Sequence, residues 1–294
     1  MVRGERGLLY VVATPIGNLA DLTDRARQTL GAVDLIAAED TRETRRLLAH
    51  FGITKRLIAY HDHNESAATP HLIESLLQGQ DLALVSDAGT PTLSDPGYRL
   101  VAAAWEAGIR VVPIPGASAA ICALSAAGLP TDRFLFLGFP PRGSTQRRTW
   151  IAAVAGEPGT LILYESAKRA TETLRDLSSV LGDARAVVVA RELTKRFETL
   201  LRGSPGALAE RLATDPEQRL GELVILVSGA SGAPAGDRDE QERVLRILAE
   251  DLPLTQAAAL AARITGAKRN ALYRLGLTLG IGRGAESAAA HPPP

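Results

Sequence analysis

Short apolar runs alternate along the chain with longer stretches in which apolar residues recur every three or four positions. This alternation predicts an α/β architecture with many parallel strand pairs. Leu8–Ala13, Leu35–Ala38, Leu82–Val85 and Val111–Ile114 read as strands, with helices over Leu22–Leu30 and Tyr98–Ala107. The pattern then restarts. Phe134–Leu137, Thr160–Tyr164, Ala186–Ala190 and Leu223–Val227 are strand-like, with helices near Ala167–Val180 and Pro205–Ala213. A linker around Ala126–Thr131 divides the expected α/β domains, 1–125 and 126–230. Ser228–Asp239, rich in Gly, Ala and Ser, marks a second linker. Beyond it, 240–284 reads as a helical domain, with one helix over Glu240–Glu250 and two more within Leu254–Leu279 broken at Gly266. Residues 285–294 have the composition of a disordered tail.

Charge narrows the reading. Lys and Arg together number 33, as do Asp and Glu, so the formal net charge of the 294 residues is zero and any polyanion site must be local. Two stretches are locally basic and free of acids. Arg133, Arg142, Arg147 and Arg148 fall in the first, and Arg263, Lys268, Arg269, Arg274 and Arg283 in the second, Thr255–Gly284. A lone cysteine, Cys122, excludes an internal disulfide and any multi-thiolate metal site. The opening residues lack the apolar core of a signal peptide, and no apolar run reaches the roughly 18 residues of a membrane helix. The expectation is a cytoplasmic protein without a membrane span.

The chemistry gathers at predicted strand ends. Thr14-Pro15-Ile16-Gly17-Asn18-Leu19 lies between the first strand and first helix, but it lacks the glycines of a dinucleotide or P-loop motif. Alone it reads as a turn, with Asp21 or Thr23 capping the helix. The segment from Ser86 to Gly97, S-D-A-G-T-P-T-L-S-D-P-G, packs small and turn-forming residues into one long loop where backbone groups can reach a ligand. Pro113–Ala120 repeats this logic one strand later, with Ser118 as a candidate helix cap. Glu39-Asp40-Thr41-Arg42 and Tyr60-His61-Asp62-His63-Asn64-Glu65 are candidates for a reacting site, against the alternative of solvated polar loops. The His61 and His63 spacing does not match a helical zinc motif, so no metal is expected. Tyr164–Arg169 and Arg191–Lys195 place further charge at strand ends, where salt-bridged helix starts are the competing explanation.

Taken together, T-P-I-G-N-L (14–19), A-E-D-T-R (38–42), S-D-A-G-T-P (86–91), S-D-P-G (94–97), P-G-A-S-A (115–119) and R-E-L-T-K (191–195) occur in one order and spacing. This pattern resembles the RsmI-type 16S ribosomal RNA cytidine ribose 2′-O-methyltransferases of the tetrapyrrole methylase superfamily, over about residues 8–279. The resemblance implies a class III methyltransferase fold, two α/β domains plus a small C-terminal helical domain, with S-adenosylmethionine bound between the α/β domains. It implies cofactor contacts from Pro15, Ala88, Gly89, Thr90, Asp95, Ser118 and Ala119 of the first domain. Tyr164, Leu193, Gly221, Glu222 and Leu223 of the second domain complete the set. The polar strand ends place the reacting end at Glu39, Asp40, Arg42, His61, Asn64, Glu65 and Lys195, with Lys195, Glu39, His61 and His63 all open as proton acceptor or alkoxide stabiliser. The resemblance also implies a homodimer acting on 16S rRNA of the small ribosomal subunit. Lys168, where the family carries His after Y-E-S, and Leu220, where a basic residue often precedes the G-E pair, depart from the pattern; Arg219 stands one position away. Two rival functions are a tetrapyrrole-precursor methylase, against which the basic helical segment argues, and a non-catalytic ribosome assembly factor.

Overall fold

The computed structural model describes residues 6–215, 221–230 and 238–281. Arg219, Leu220, Arg283 and the tail at 285–294 lie outside the described residues. Five short strands, β1 (Leu9–Val12), β2 (Leu35–Ala38), β3 (Arg56–Ala59), β4 (Leu82–Val85) and β5 (Val111–Ile114), form a parallel sheet in the order β3-β2-β4-β1-β5. β2 and β4 are buried at every position. They read as unbroken apolar runs because a parallel strand covered on both faces has no solvent side to mark with polar residues.

Helices α1 (Asp24–Ala32) and α2 (Thr41–His50) cover one face, packing Ala26, Leu30 and Leu48 against Val12, Ile36 and Val85. On the opposite face, α3 (Glu65–Leu77) and α4 (Tyr98–Glu106) set Leu72, Leu76, Leu100 and Ala104 against Leu9, Leu35 and Leu84. Thr23, not Asp21, caps α1, its hydroxyl accepting the Ala26 N–H at 3.1 Å.

The second sheet has the order β6-β7-β10-β8-β9, built from β6 (Phe134–Gly138), β7 (Thr160–Ser166), β8 (Val187–Arg191), β9 (Thr199–Gly203) and β10 (Glu222–Val227). Only β6 and β7 are parallel; β7-β10, β10-β8 and β8-β9 are antiparallel. The expectation of many parallel pairs is therefore not met in this half, where one pair of four is parallel. The connection from β8 to β9 is too short for a parallel crossover, which needs a dozen residues or more.

Helix α5 (Ala119–Ala127) follows the first sheet in sequence yet packs on the second. Its Ala120, Ala123, Leu124 and Ala127 lie against Ile162, Val188, Val224 and Leu226. Helices α7 (Ala167–Leu181) and α8 (Pro205–Thr214) also pack on this sheet, α7 on β7 and β10 and α8 on β9. The described residues of Met1–Ala152 and Thr160–Ser228 accordingly form one compact unit holding both sheets.

Helix α6 (Ser144–Ala153) changes the reading of the first basic stretch. The Arg147 side chain is 1% exposed, its Nε 2.7 Å from Asp176 Oδ2, and it also donates to the Pro141 and Arg142 carbonyls. A guanidinium committed to a buried ion pair is not a phosphate contact, so Arg147 drops out of that face. Arg133, Arg142 and Arg148 remain exposed.

The other compact unit, within Ala153–Gly159 and Gly229–Pro294, contains α9 (Arg238–Asp251), α10 (Leu254–Thr265) and α11 (Arg269–Thr278). Leu245, Ala257, Ala258, Ala261 and Leu272 form its core. Gly266, at the predicted break, adopts the left-handed conformation that ends α10.

Candidate active site

Both halves of the two-sheet unit contribute loops to a cavity of about 410 Å³. From the first sheet come the segment after β4 and the start of α5; from the second come the ends of β7 and β8 and the start of β10. Several hydrogen bonds fix these loops. Thr14 and Gly89 exchange backbone bonds of 2.9 and 3.1 Å, and the Thr14 hydroxyl donates to the Ser86 carbonyl at 3.1 Å. The Thr90 hydroxyl donates to the Ala117 carbonyl at 3.0 Å, joining the two small-residue loops. The Ala120 N–H donates to the Tyr164 hydroxyl at 3.3 Å and ties α5 to β7.

Backbone strain concentrates here. Among the described residues, the non-glycine positions with positive φ are Thr92, Ser94, Glu192 and Thr194, two on each of the facing loops. Such conformations are costly for Thr, and they persist where surrounding structure imposes them, often at functional sites. At Gly89, φ is +90° and an added Cβ would lie 3.3 Å from Ile16 Cγ2, so this turn demands glycine.

The cavity mouth is acidic. Burial raises the Glu39 carboxyl above its ordinary range, with Asp87, Asp62 and Asp40 adding repulsion against a hydrogen bond from the Asp87 backbone. Asp87 is raised in the same way, mainly by burial. These two acids brace the strand ends: Asp87 N–H donates to Glu39 Oε2 at 3.2 Å, and Asp40 N–H donates to Asp87 Oδ1 at 2.9 Å. Asp95 is pushed up to about 6, chiefly by burial, opposed by the Ser86 hydroxyl and reinforced by Glu39, Asp87 and Asp62.

On the other side, Lys195 Nζ lies 3.0 Å from Glu192 Oε1 and 3.2 Å from Glu222 Oε2. Partial burial disfavours its charge, but these two carboxylates win and hold its pKa above the ordinary lysine value. Its stem crosses Gly17, where an added Cβ would lie 2.6 Å from Lys195 Cγ. Gly17 thus lets the T-P-I-G-N-L turn close on a residue from the far half of the chain.

Of the positions expected to hold a cofactor, Ala88, Gly89, Thr90, Asp95, Ser118, Ala119, Tyr164, Leu193, Gly221, Glu222 and Leu223 line this cavity. Pro15 is buried and does not line it. Ser118 does not cap α5 through its side chain; its Oγ is buried beside Tyr164 with no hydrogen bond of normal geometry. Of the expected reacting residues, Glu39 and Lys195 line the cavity, whereas Asp40, Arg42, His61, Asn64 and Glu65 do not.

The side chains of Asp40, Arg42, Asn64 and Glu65 are committed elsewhere, whereas the His61 Nδ1 is buried with no hydrogen-bond partner. Arg42 forks onto Asp40, with Nη2 to Oδ2 at 2.6 Å, and that pairing holds the Asp40 carboxyl well below the usual range. Asn64 accepts the His61 N–H and donates to the Ala59 carbonyl, both at 2.8 Å. Glu65 pairs with Arg99 at 2.6 Å. His61 and His63 rings stand 6.0 Å apart, and among the described residues no group of three or more His, Cys, Asp or Glu is arranged to hold a metal ion.

Sequence reasoning missed Asp87, Phe139, Glu165 and Glu192 on the cavity wall. Asp87 and Glu192 stand inside quoted motifs, so the signal for them was present. Glu165 is spoken for: it accepts the Thr173 hydroxyl at 2.6 Å, and Arg169 pairs with it at 3.2 Å. Lys168, a departure from the expected pattern, is exposed.

Two sheets in one unit whose loops line a common cleft define a class, and the comparisons agree on it. Residues 8–209 match the tetrapyrrole (corrin/porphyrin) methylase model, and 235–280 match the RsmI C-terminal helix-turn-helix domain. Diphthine synthase superposes with a TM-score of 0.58 at 15% identity, covering 76% of this chain and 90% of that one. Uroporphyrin-III C-methyltransferase from Thermus thermophilus gives 0.52 at 18% identity, covering 75% and 97%. At these identities the likeness establishes fold alone.

Curated relatives are much nearer. Ribosomal RNA small subunit methyltransferase I of Escherichia coli O157:H7 is 54% identical over 272 residues, 92% of this chain and 95% of the relative. Its namesake from Haemophilus influenzae is 50% identical over 273 residues, 92% and 96%. The chain belongs to the ribosomal RNA small subunit methyltransferase I family, a branch of the tetrapyrrole methylases.

Proposed function

We propose that the chain methylates the ribose 2′-hydroxyl of a cytidine in 16S rRNA, using S-adenosylmethionine, on the small ribosomal subunit in the cytoplasm. The observation carrying the substrate class is the identity of about one half, across nine-tenths of the chain, to relatives named ribosomal RNA small subunit methyltransferase I. The cleft suits the cofactor on three physical grounds. Ser118 Oγ is a buried polar atom awaiting a partner. Gly89 keeps backbone, not side chain, at the wall. The acidic mouth favours a cation, as a sulfonium with an ammonium group would be.

In this reading Ala88, Gly89, Thr90, Ser118 and Ala119 hold the cofactor from one side, with Tyr164, Leu193 and Gly221–Leu223 on the other. Pro15, buried and next in the chain after Thr14, supports them through the Thr14–Gly89 bridge. When bound, S-adenosylmethionine supplies an electrophilic methyl group. The chain's own task is to align a hydroxyl oxygen with that carbon, exclude water and remove the hydroxyl proton. Lys195, kept protonated by Glu192 and Glu222, is suited to steady developing negative charge on oxygen rather than to accept a proton. Glu39 faces the same cavity. Asp40 with Arg42, His61 with Asn64, and Glu65 with Arg99 brace the neighbouring loops in this reading.

The molecule works as a homodimer in this proposal, which light scattering of the purified chain checks. The decisive experiment incubates it with labelled S-adenosylmethionine and, separately, small subunits, free rRNA and tetrapyrroles. Label is expected in 16S rRNA and at ribose. Label in tetrapyrrole selects the small-molecule rival, and ribosome binding without label selects the assembly factor.

A further inference from the structure

We propose that Asp95 is the proton acceptor of the methyl-transfer cleft, an inference that rests on the ribose reading above. The sequence pattern grouped Asp95 with the cofactor residues; its surroundings argue for the reacting side.

The other carboxylates on the cavity wall are already engaged. Glu165 is consumed by Thr173, the Ser166 N–H and Arg169. Glu192 accepts from Lys195 and from the Glu222 N–H, and Glu222 is turned to solvent with Lys195 alongside. Glu39 accepts the Asp87 N–H, and Asp87 accepts the Asp40 N–H, so each already closes a strand end. Asp95 lines the same cavity close to the Ser86 hydroxyl, which itself donates to the Gly89 carbonyl at 3.5 Å, and no cation is paired with Asp95 among the described residues.

Position supports the same residue. Asp95 lines the cavity together with Glu39 and Asp87 on the first sheet's side and Tyr164 from the second. It therefore lies where acids of the reacting rim meet the wall expected to hold the cofactor. It also follows Ser94, whose left-handed backbone is one of four strained positions around the cleft. Strain and burial hold a carboxylate without a counter-ion, an arrangement that costs stability and suits a general base working near neutral pH. The step balances simply. The ribose O–H bond breaks, its proton passes to an Asp95 carboxylate oxygen, and the oxygen pair forms the new C–O bond as the methyl–sulfur pair returns to sulfur. Asp95 then releases the proton to solvent.

The test compares wild type with Asp95→Asn, Asp95→Glu and Glu39→Gln, reading single-turnover methylation of small subunits against pH and S-adenosylmethionine affinity by calorimetry. Asp95→Asn is expected to slow transfer by about 10²- to 10⁴-fold. It should lose the rise in rate through about pH 6 that wild type shows, while binding the cofactor within about threefold of wild type. Asp95→Glu should restore at least about tenfold of the loss with the limb displaced, and Glu39→Gln should keep the limb. An Asp95→Asn protein with the wild-type limb, or one whose rate and affinity fall in equal proportion, overturns the proposal. If Asp95→Asn does not fold, an unmoved limb in Asp95→Glu overturns it equally. A wild-type chain that labels no small subunit overturns the ribose reading itself.

Discussion

At the scale of single residues, Asp95 makes a stability prediction that needs no substrate. Its ordinary pKa of 3.8 is raised to about 6 by burial in the folded chain. The unfolded chain releases this proton first, so between those values the folded state holds more protons and stability falls as pH rises. Above about pH 6 the penalty stays constant. The gap sets an upper bound of about 3 kcal/mol, and because the carboxyl is only partly buried, screening brings it to on the order of 1 kcal/mol. Asp95→Asn should therefore raise the melting temperature at pH 7.5 by about 2–4 °C and give no gain at pH 3.5, as scanning calorimetry at both pH values would read. Gly89 makes the opposite case. Gly89→Val forces a branched residue into φ of +90° and crowds Ile16 on the cavity wall. S-adenosylmethionine affinity is expected to drop at least about tenfold, from strain on the order of 1–3 kcal/mol. Undiminished calorimetric affinity in a folded variant would separate this loop from the cofactor.

Among the secondary-structure elements, legibility followed burial. β2 and β4, buried at every position, were bounded correctly because unbroken apolar runs flanked by turn residues leave little choice; β5, which buries only Ile114, was bounded correctly from its run Val111-Val112-Pro113-Ile114 alone. Helix α2 went unseen because its first six residues, Thr41–Arg46, are all polar or charged, and so did β9, which buries only Leu201 among its five. Strand direction in the second sheet was illegible for a different reason. Pairing partners are chosen by tertiary contacts, and an apolar run looks alike in either direction. The cleft loops at Ser86–Gly97 and Pro115–Ala119 stood out by their small residues. The polar rim could not be read, because whether Asn64 or Glu65 faces a ligand depends on Ala59 and Arg99, which the chain brings to them only on folding. Arg147 shows the same limit: a basic stretch held a buried ion pair. Removing its guanidinium leaves Asp176 buried with its main partner gone, with only Arg148 at 3.6 Å and the Ser144 hydroxyl nearby. Arg147→Ala is expected to cost about 3–5 kcal/mol in a urea titration, far more than Arg142→Ala at the exposed neighbour.

For the whole molecule, neutrality of net charge means that any attraction to rRNA must come from separated patches. The helical unit offers the clearest one. Arg263, Lys268, Arg269 and Arg274 are all exposed on α10, α11 and the turn between them, and among the described residues none forms an ion pair. The acids Glu240 and Glu242 of α9 are paired instead with Arg243 and Arg246. Bare cations at the start of α11, beside half-exposed Tyr273, suit contact with a phosphate backbone, each contact adding about 0.7–0.9 to the slope of log affinity against log salt. A Lys268→Glu, Arg269→Glu, Arg274→Glu triple variant should therefore bind small subunits more weakly, with a slope shallower by about 2–3. Its S-adenosylmethionine affinity should be unaltered, because none of these residues lines the cavity. Filter binding over a salt series reads both the affinity and its slope. An unchanged slope with full methylation would assign docking to Arg133, Arg142 and Arg148 instead, since a helical unit that meets no phosphate cannot lend its charge to recognition.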